Sequence, residues 1–172
     1  KRLIAAIQAS LSDDLAPEQP LLRLEPDPES TSEPEPESRV ISTLDDGLDA
    51  ALGGGVPVGV VTEFTGESGA GKTQALLSLC LAVQLPSPRG LGREALYIST
   101  EAALATSRLA QMLNSNPIIQ QYDDPDTRPS LDAIHSAVTP DLETQDHILE
   151  FQVPVLLSRH RIGLIILDSV AA

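Results

Sequence analysis

Gly66-Glu67-Ser68-Gly69-Ala70-Gly71-Lys72-Thr73 satisfies the pattern G-x-x-x-x-G-K-[ST] at every fixed position. Glycines at these places let successive backbone N–H groups turn inward and form an anion nest around phosphate. A helix that starts at the lysine adds its positive N-terminus to the same spot. Lys72 then reaches the terminal phosphates and the Thr73 hydroxyl is the natural Mg²⁺ ligand. The flanks agree with this. Val58 to Thr65 reads as a strand, with Val60, Val61 and Phe64 as its β-branched and aromatic members. Lys72 to Leu85 reads as a helix whose apolar stripe is Leu76, Leu77, Cys80, Leu81 and Leu85, stopped by Pro86 and Pro88. A chance match is expected in about one such chain per thousand. The alternative is a glycine-rich turn beside an exposed lysine. After Lys1, however, Lys72 is the only lysine in the chain.

A magnesium-nucleotide site also needs a carboxylate at the C-terminal end of a buried strand. Leu164-Ile165-Ile166-Leu167-Asp168 supplies one, with Asp168 placed to hold the metal through water; a turn-capping aspartate is the plainer reading. Ile162 to Leu167 is almost purely apolar, which predicts a strand buried on both faces. Hydrolysis further requires a group that orients or deprotonates water. Glu101, after the strand Ala95 to Thr100, is expected on the same sheet edge, unless it serves only the N-terminus of the next helix.

Further out, Val40 to Leu44 is a short strand candidate and Asp46 to Leu52 a short helix closed by Gly53-Gly54-Gly55. Thr106 to Leu113 reads as a helix, Asn114 to Ser130 as loop and Ala133 to Val138 as a strand. Asp141 to His160 is helical in pattern, with Pro154 expected to kink or split it. Strands alternating with helices imply an α/β domain with a parallel sheet and right-handed crossovers.

The N-terminal part differs in kind. Lys1 to Leu11 has helical spacing at Leu3, Ile4, Ile7 and Leu11, so residues 1–15 are read as the remnant of an N-terminal helical region. Residues 16–38 are read as an acidic, Pro/Ser-rich disordered linker, because every residue from Glu25 to Ser38 is Glu, Asp, Pro, Ser or Thr. An acidic interaction tail is the sharper alternative. Residues 39–172 form the core. The chain starts on Lys1 and stops just after an apolar strand, so it is expected to be a piece of a longer product.

Composition bounds the rest. The 172 residues are 41% hydrophobic but only 2% aromatic, so the core is built from aliphatic side chains. Net charge is −14, without the basic footprint of a self-sufficient nucleic-acid binder. One cysteine, Cys80, rules out an internal disulfide. No apolar run approaches the roughly 18–20 residues that span a bilayer, and residues 1–11 are too short and polar for a secretory signal. A membrane protein and a secreted scaffold are both excluded on this reading. His135, His147 and His160 show no metal-ligand spacing and are expected in ordinary surface or core roles. There is no G-x-S-x-G element to support nucleophilic hydrolase chemistry.

Taken together, Ile41-Ser42-Thr43-Leu44, Leu48 to Gly55, Val60 to Ser68 and Gly71-Lys72-Thr73-Gln74 resemble the lead-in and phosphate loop of RecA-type recombinases. Ala95-Leu96-Tyr97-Ile98-Ser99-Thr100-Glu101 is similar to the strand that carries that family's catalytic glutamate. Val153 to Arg159 and Leu167 to Ala172 resemble the eukaryotic recombinase paralogues, in particular the Rad-fifty-seven and XRCC-three branch. The resemblance covers residues 39–172 and implies a RecA-like P-loop NTPase core, a mostly parallel sheet flanked by helices, C-terminally incomplete. It implies ATP and Mg²⁺ as cofactors, with Gly66, Glu67, Ser68, Gly69, Ala70, Gly71, Lys72, Thr73 and Gln74 around the nucleotide. Thr73 and Asp168 then serve the metal, and Lys72 and Glu101 serve catalysis by a slow ATPase. Arg108 matches the arginine that lies against adenine; an exposed helix arginine is its plainer reading.

The family's role is to assist recombinase filaments on single-stranded DNA in double-strand break repair, which implies a nuclear protein. The implied partners are a sibling paralogue and the main recombinase, with DNA reached through the complex or through loops beyond Asp168. Gly69-Ala70 replaces the Arg-Thr of the filament-forming recombinase, and no Phe-x-x-Ala docking motif is present. A free-standing P-loop ATPase acting on another substrate is the alternative.

Overall fold

Three apolar segments build the sheet that carries the site. β3 (Glu94–Ser99), β4 (Ile134–Val138) and β5 (Ile162–Asp168) run parallel in the order β4-β3-β5 in the computed structural model, which describes residues 40–169. The proposed helical remnant at 1–15 and the acidic linker at 16–38 lie outside the described residues. Because strand side chains alternate, Ala95 and Tyr97 point to one face of the sheet and Leu96 and Ile98 to the other. The two sets join separate apolar clusters.

The larger cluster is dominated by α2 (Lys72–Ala82), in which Leu77, Leu79, Cys80, Leu81 and Ala82 are all buried. Leu79 and Ala82 are not on the stripe read from sequence: beyond its first turn this helix is covered on most sides, by the sheet and by α3 (Thr106–Ser115). Cys80 is fully buried, and burial pushes its thiol pKa up to about 12, which leaves it unreactive. α2 ends at Ala82, before Pro86 is reached, as Leu85 N–H turns back to the Ala82 carbonyl. Within the segment expected to be loop, Ile118 and Ile119 are buried around a short 3₁₀ turn at Ile119–Gln121.

The second face is covered by α4 (Leu142–His147) and α5 (Val153–Arg159), joined by a π-helical stretch, Ile148–Gln152. The expected split is present: the regular α-helix is interrupted just ahead of Pro154, although the segment stays helical throughout. A proline has no N–H to donate, and in a regular α-helix its ring meets the carbonyl four residues back, here that of Glu150. The wider π turn just ahead of it accommodates both problems.

Two expectations are corrected. The first concerns the strand read at 58–65. Only β2 (Val56–Pro57) pairs, antiparallel with β1 (Val40–Ile41), and residues 58–65 carry no strand, with Val60 62% and Val61 58% exposed. Their β-branched composition is right for a strand, but no described strand offers them a ladder. The second concerns β5. It is an edge strand among the described residues, so Ile162 and Ile166 are buried while Ile165 is 43% exposed.

A buried polar knot joins β1 to α1 (Asp46–Ala51). Asp49 accepts from Ser42 Oγ at 2.5 Å, Thr43 N–H at 2.7 Å and Thr43 Oγ1 at 2.6 Å. Burial raises the Asp49 pKa, and these three donors outweigh burial, so the net direction is downward from its ordinary value near 3.8.

Candidate nucleotide site

Parallel strands all expose their C-terminal ends at one edge, and loops leaving that edge are where open α/β sheets bind ligands. β3 and β5 end there at Ser99 and Asp168, and their in-register pairing sets those two residues side by side. Thr100 extends the tie: its N–H reaches the Asp168 carbonyl at 3.0 Å and its hydroxyl donates to the Ser169 carbonyl at 3.1 Å.

The glycine-rich loop approaches this edge from the start of α2. Gly69 and Gly71 have φ of 81° and 91°, left-handed values that a side chain resists. These let the chain curl tightly before the helix. Gly71 caps α2 without any side-chain hydrogen bond to the helix, so the first-turn N–H groups keep their donor capacity toward the loop. Lys72 folds back over the loop and donates to the carbonyls of Gly66 at 2.8 Å and Glu67 at 2.9 Å.

Thr73 Oγ1 donates to Asp168 Oδ2 at 3.0 Å, across 95 residues of chain. A hydroxyl and a carboxylate at this separation form a hard-oxygen pair of the kind that holds Mg²⁺, so the residues present fit that ion. The same Asp168 oxygen accepts a 2.5 Å hydrogen bond from the Tyr97 hydroxyl. Burial, followed by the bond and charge of Asp168, raises the Tyr97 pKa beyond any physiological range. Tyr97 was not singled out from sequence: its place at the fourth position of an apolar strand reads as core. The signal was its alternation, which puts it on the face toward α2.

The remaining expected residues fall around the same edge. Arg108, on α3, donates from Nε to Gln74 Oε1 at 2.6 Å and from Nη1 to Gln111 at 2.5 Å, which brings it beside the first turn of α2. Glu101 lies two residues past β3, exposed, with its N–H bonded to Ser99 Oγ at 3.3 Å. It is not a helix-capping glutamate, because α3 begins only at Thr106. Glu67, Ser68, Gly69 and Ala70 are the exposed crest of the loop.

The histidines hold ordinary side-chain contacts, but two of them share a partner that spacing does not announce. His147 packs its ring on Phe151, with centroids 5.1 Å apart, but His135 and His160 converge on Glu94 at the opposite edge of the sheet. Sequence spacing had no means of joining residues that only strand register brings together.

Comparison with known proteins agrees with the topology. The Rad51 family model matches residues 37–172. The chain is 44% identical over 141 residues to the DNA repair protein rhp57 of Schizosaccharomyces pombe, covering 78% of this chain and 39% of that protein. It is 40% identical over 133 residues to the DNA repair protein RAD57 of Saccharomyces cerevisiae, covering 76% of this chain and 28% of that protein. The DNA repair protein XRCC3 of Bos taurus is 41% identical over 130 residues, covering 73% of this chain and 38% of its own length. The chain thus spans well under half the length of these relatives. By its sheet, its phosphate loop and the match across 37–172, the chain belongs to the Rad51 family, on the branch of the recombinase paralogues.

Proposed function

We propose that this chain is the ATP-binding part of a recombinase paralogue that assists filament assembly in recombination repair. The observation that carries the nucleotide reading is the 3.0 Å contact between Thr73 Oγ1 and Asp168 Oδ2. It joins the end of the phosphate loop to the end of β5, which is what a shared magnesium ion requires.

In this reading the loop N–H groups from Gly66 to Thr73 hold the β-phosphate, aided by the N-terminus of α2. The Lys72 ammonium leaves the carbonyls of Gly66 and Glu67 for the phosphate oxygens. That exchange is cheap, because both of its present contacts are exposed. Thr73 and Asp168 hold Mg²⁺, which supplies charge neutralisation on the phosphates. Tyr97 fixes the Asp168 carboxylate from below. Glu101, with no hydrogen bond to its carboxylate among the described residues, is free to orient water, and Arg108 is placed to lie along the base. Slow hydrolysis is expected, since the site lies open to solvent on this chain alone.

The DNA-repair relatives support a role in recombination and hence a nuclear location. No helix among the described residues is long and apolar enough to cross a membrane. The core's surplus of acids over bases favours action through a sibling paralogue and the main recombinase over unaided binding of single-stranded DNA. The test is a pull-down of a recombinase-type partner with and without MgATP. Nucleotide-dependent capture by the parent chain and its loss in Lys72→Ala is the expected result. Capture that ignores both nucleotide and substitution overturns the assembly role.

A further inference from the structure

The edge of the sheet farthest from the phosphate loop holds a second constellation. Glu94 opens β3, His135 is the second residue of β4, and His160 sits between α5 and β5. Register explains their meeting. Leu96 pairs with His135 and Glu94 with Ile162. Glu94 lies two positions before Leu96, so its side chain points to the same face as that of His135. His160 lies two positions before Ile162, and the Arg161 carbonyl accepts from Glu94 N–H at 2.9 Å. Glu94 Oε2 stands 2.5 Å from His135 Nε2 and 3.1 Å from His160 Nδ1. The two imidazoles meet edge to face, with centroids 4.3 Å apart. One ligand atom from each of the three residues lies within 4.8 Å of the others. They line a cleft of about 350 Å³ with Ser130, Asp132 and Ala133.

We propose that Glu94, His135 and His160 form a binding site for a divalent transition cation of the zinc type. Two imidazole nitrogens and one carboxylate oxygen make a donor set that zinc accepts with three protein ligands, leaving a fourth position to water. Magnesium and calcium prefer all-oxygen shells and discriminate against it. Tetrahedral zinc with bonds of about 2.0–2.1 Å separates its donors by about 3.3 Å. Binding therefore needs the carboxylate to move outward by less than about 1 Å and the two imidazole nitrogens, now within 4.8 Å of each other, to close to that spacing by side-chain rotation. Because the donors come from β3, β4 and the α5–β5 junction, the ion ties together three segments that are distant in sequence. It does so about 17 Å down β3 from the nucleotide edge, so it serves the fold and not the phosphate chemistry.

The test uses the tag-free 172-residue chain without nucleotide, which separates it from the ATP reading. Zn²⁺ is titrated against a chromophoric chelator, and thermal unfolding is followed with Zn²⁺ or with Mg²⁺. One-to-one uptake of Zn²⁺ and a rise of several degrees in Tm, absent with Mg²⁺, are expected. His160→Gln, at a solvent-facing position, keeps the circular dichroism of the parent and loses at least tenfold in Zn²⁺ affinity, and His135→Gln does likewise. Failure to take up one equivalent, or uptake unchanged in both variants, overturns the proposal.

Discussion

The Tyr97 hydroxyl donates a 2.5 Å hydrogen bond to Oδ2 of Asp168, from the neighbouring strand of the sheet. That oxygen also accepts from Thr73, so a core side chain and the phosphate-loop threonine share one acceptor. The carboxylate is thereby aimed before any ligand arrives. Preorganisation of this kind lowers the ordering cost of binding.

Tyr97→Phe removes the hydroxyl while keeping the ring in its buried place. A hydrogen bond to a charged acceptor contributes about 1.5–3 kcal/mol. The expected result is a chain that still folds, with Mg²⁺-dependent ATP affinity weakened about tenfold in a calorimetric titration. Unchanged affinity detaches Tyr97 from the site.

Thr73→Val keeps the shape of the side chain and removes its oxygen. ATP without metal is expected to bind the variant as it binds the parent. The gain in affinity on adding Mg²⁺ shrinks from the parent's value by a factor of about ten or more. A full Mg²⁺ gain in the variant argues against Thr73 as a metal ligand.

Asp49 gives the pH prediction. Its folded pKa lies below its ordinary value near 3.8, because donors from Ser42 and Thr43 outweigh the upward push of burial. A carboxylate depressed on folding adds stability above its unfolded pKa and loses it as pH falls through the folded value. The gap in denaturant stability between parent and Asp49→Ala is expected to be about 2–3 kcal/mol near neutrality, where three donors lose their acceptor. It narrows as pH falls below about 4 and through the folded pKa. A gap that is constant down to pH 2 contradicts the assignment.

Gly90→Ala tests the packing under the turn that follows α2. A Cβ there meets the Ala82 carbonyl oxygen at 2.1 Å and the Leu85 carbonyl oxygen at 2.5 Å. Both are backbone atoms that no side-chain rotation can clear. A loss of about 2 kcal/mol or more is expected in chemical unfolding; a neutral result contradicts this turn geometry.

The elements that a sequence can announce are those whose pattern and partners are local. The phosphate loop, α2 and α3, and the apolar runs of β3, β4 and β5 were all legible, and so was the meeting of Thr73 with Asp168 at one sheet edge. What escaped depends on pairing. Residues 58–65 have strand composition, but a strand exists only with a hydrogen-bonded neighbour, and none of the described strands pairs with them. β5 reads as buried on both faces, yet its edge position leaves Ile165 exposed. Pro154 announced a disturbance, while the π turn that absorbs it depends on packing. Tyr97 and the His135–His160–Glu94 group were invisible for the same reason: their partners are set by register across the sheet.

The most direct measurement is thermal unfolding of the 172-residue chain with and without MgATP, beside Lys72→Ala. At about 100 times its dissociation constant a ligand adds about 2.7 kcal/mol, a rise of about 5–10 °C in Tm for a chain of this size. The expected result is that rise in the parent and none in Lys72→Ala, with both melting alike when nucleotide is withheld. An unshifted parent, or an equal shift in the two chains, contradicts the nucleotide site.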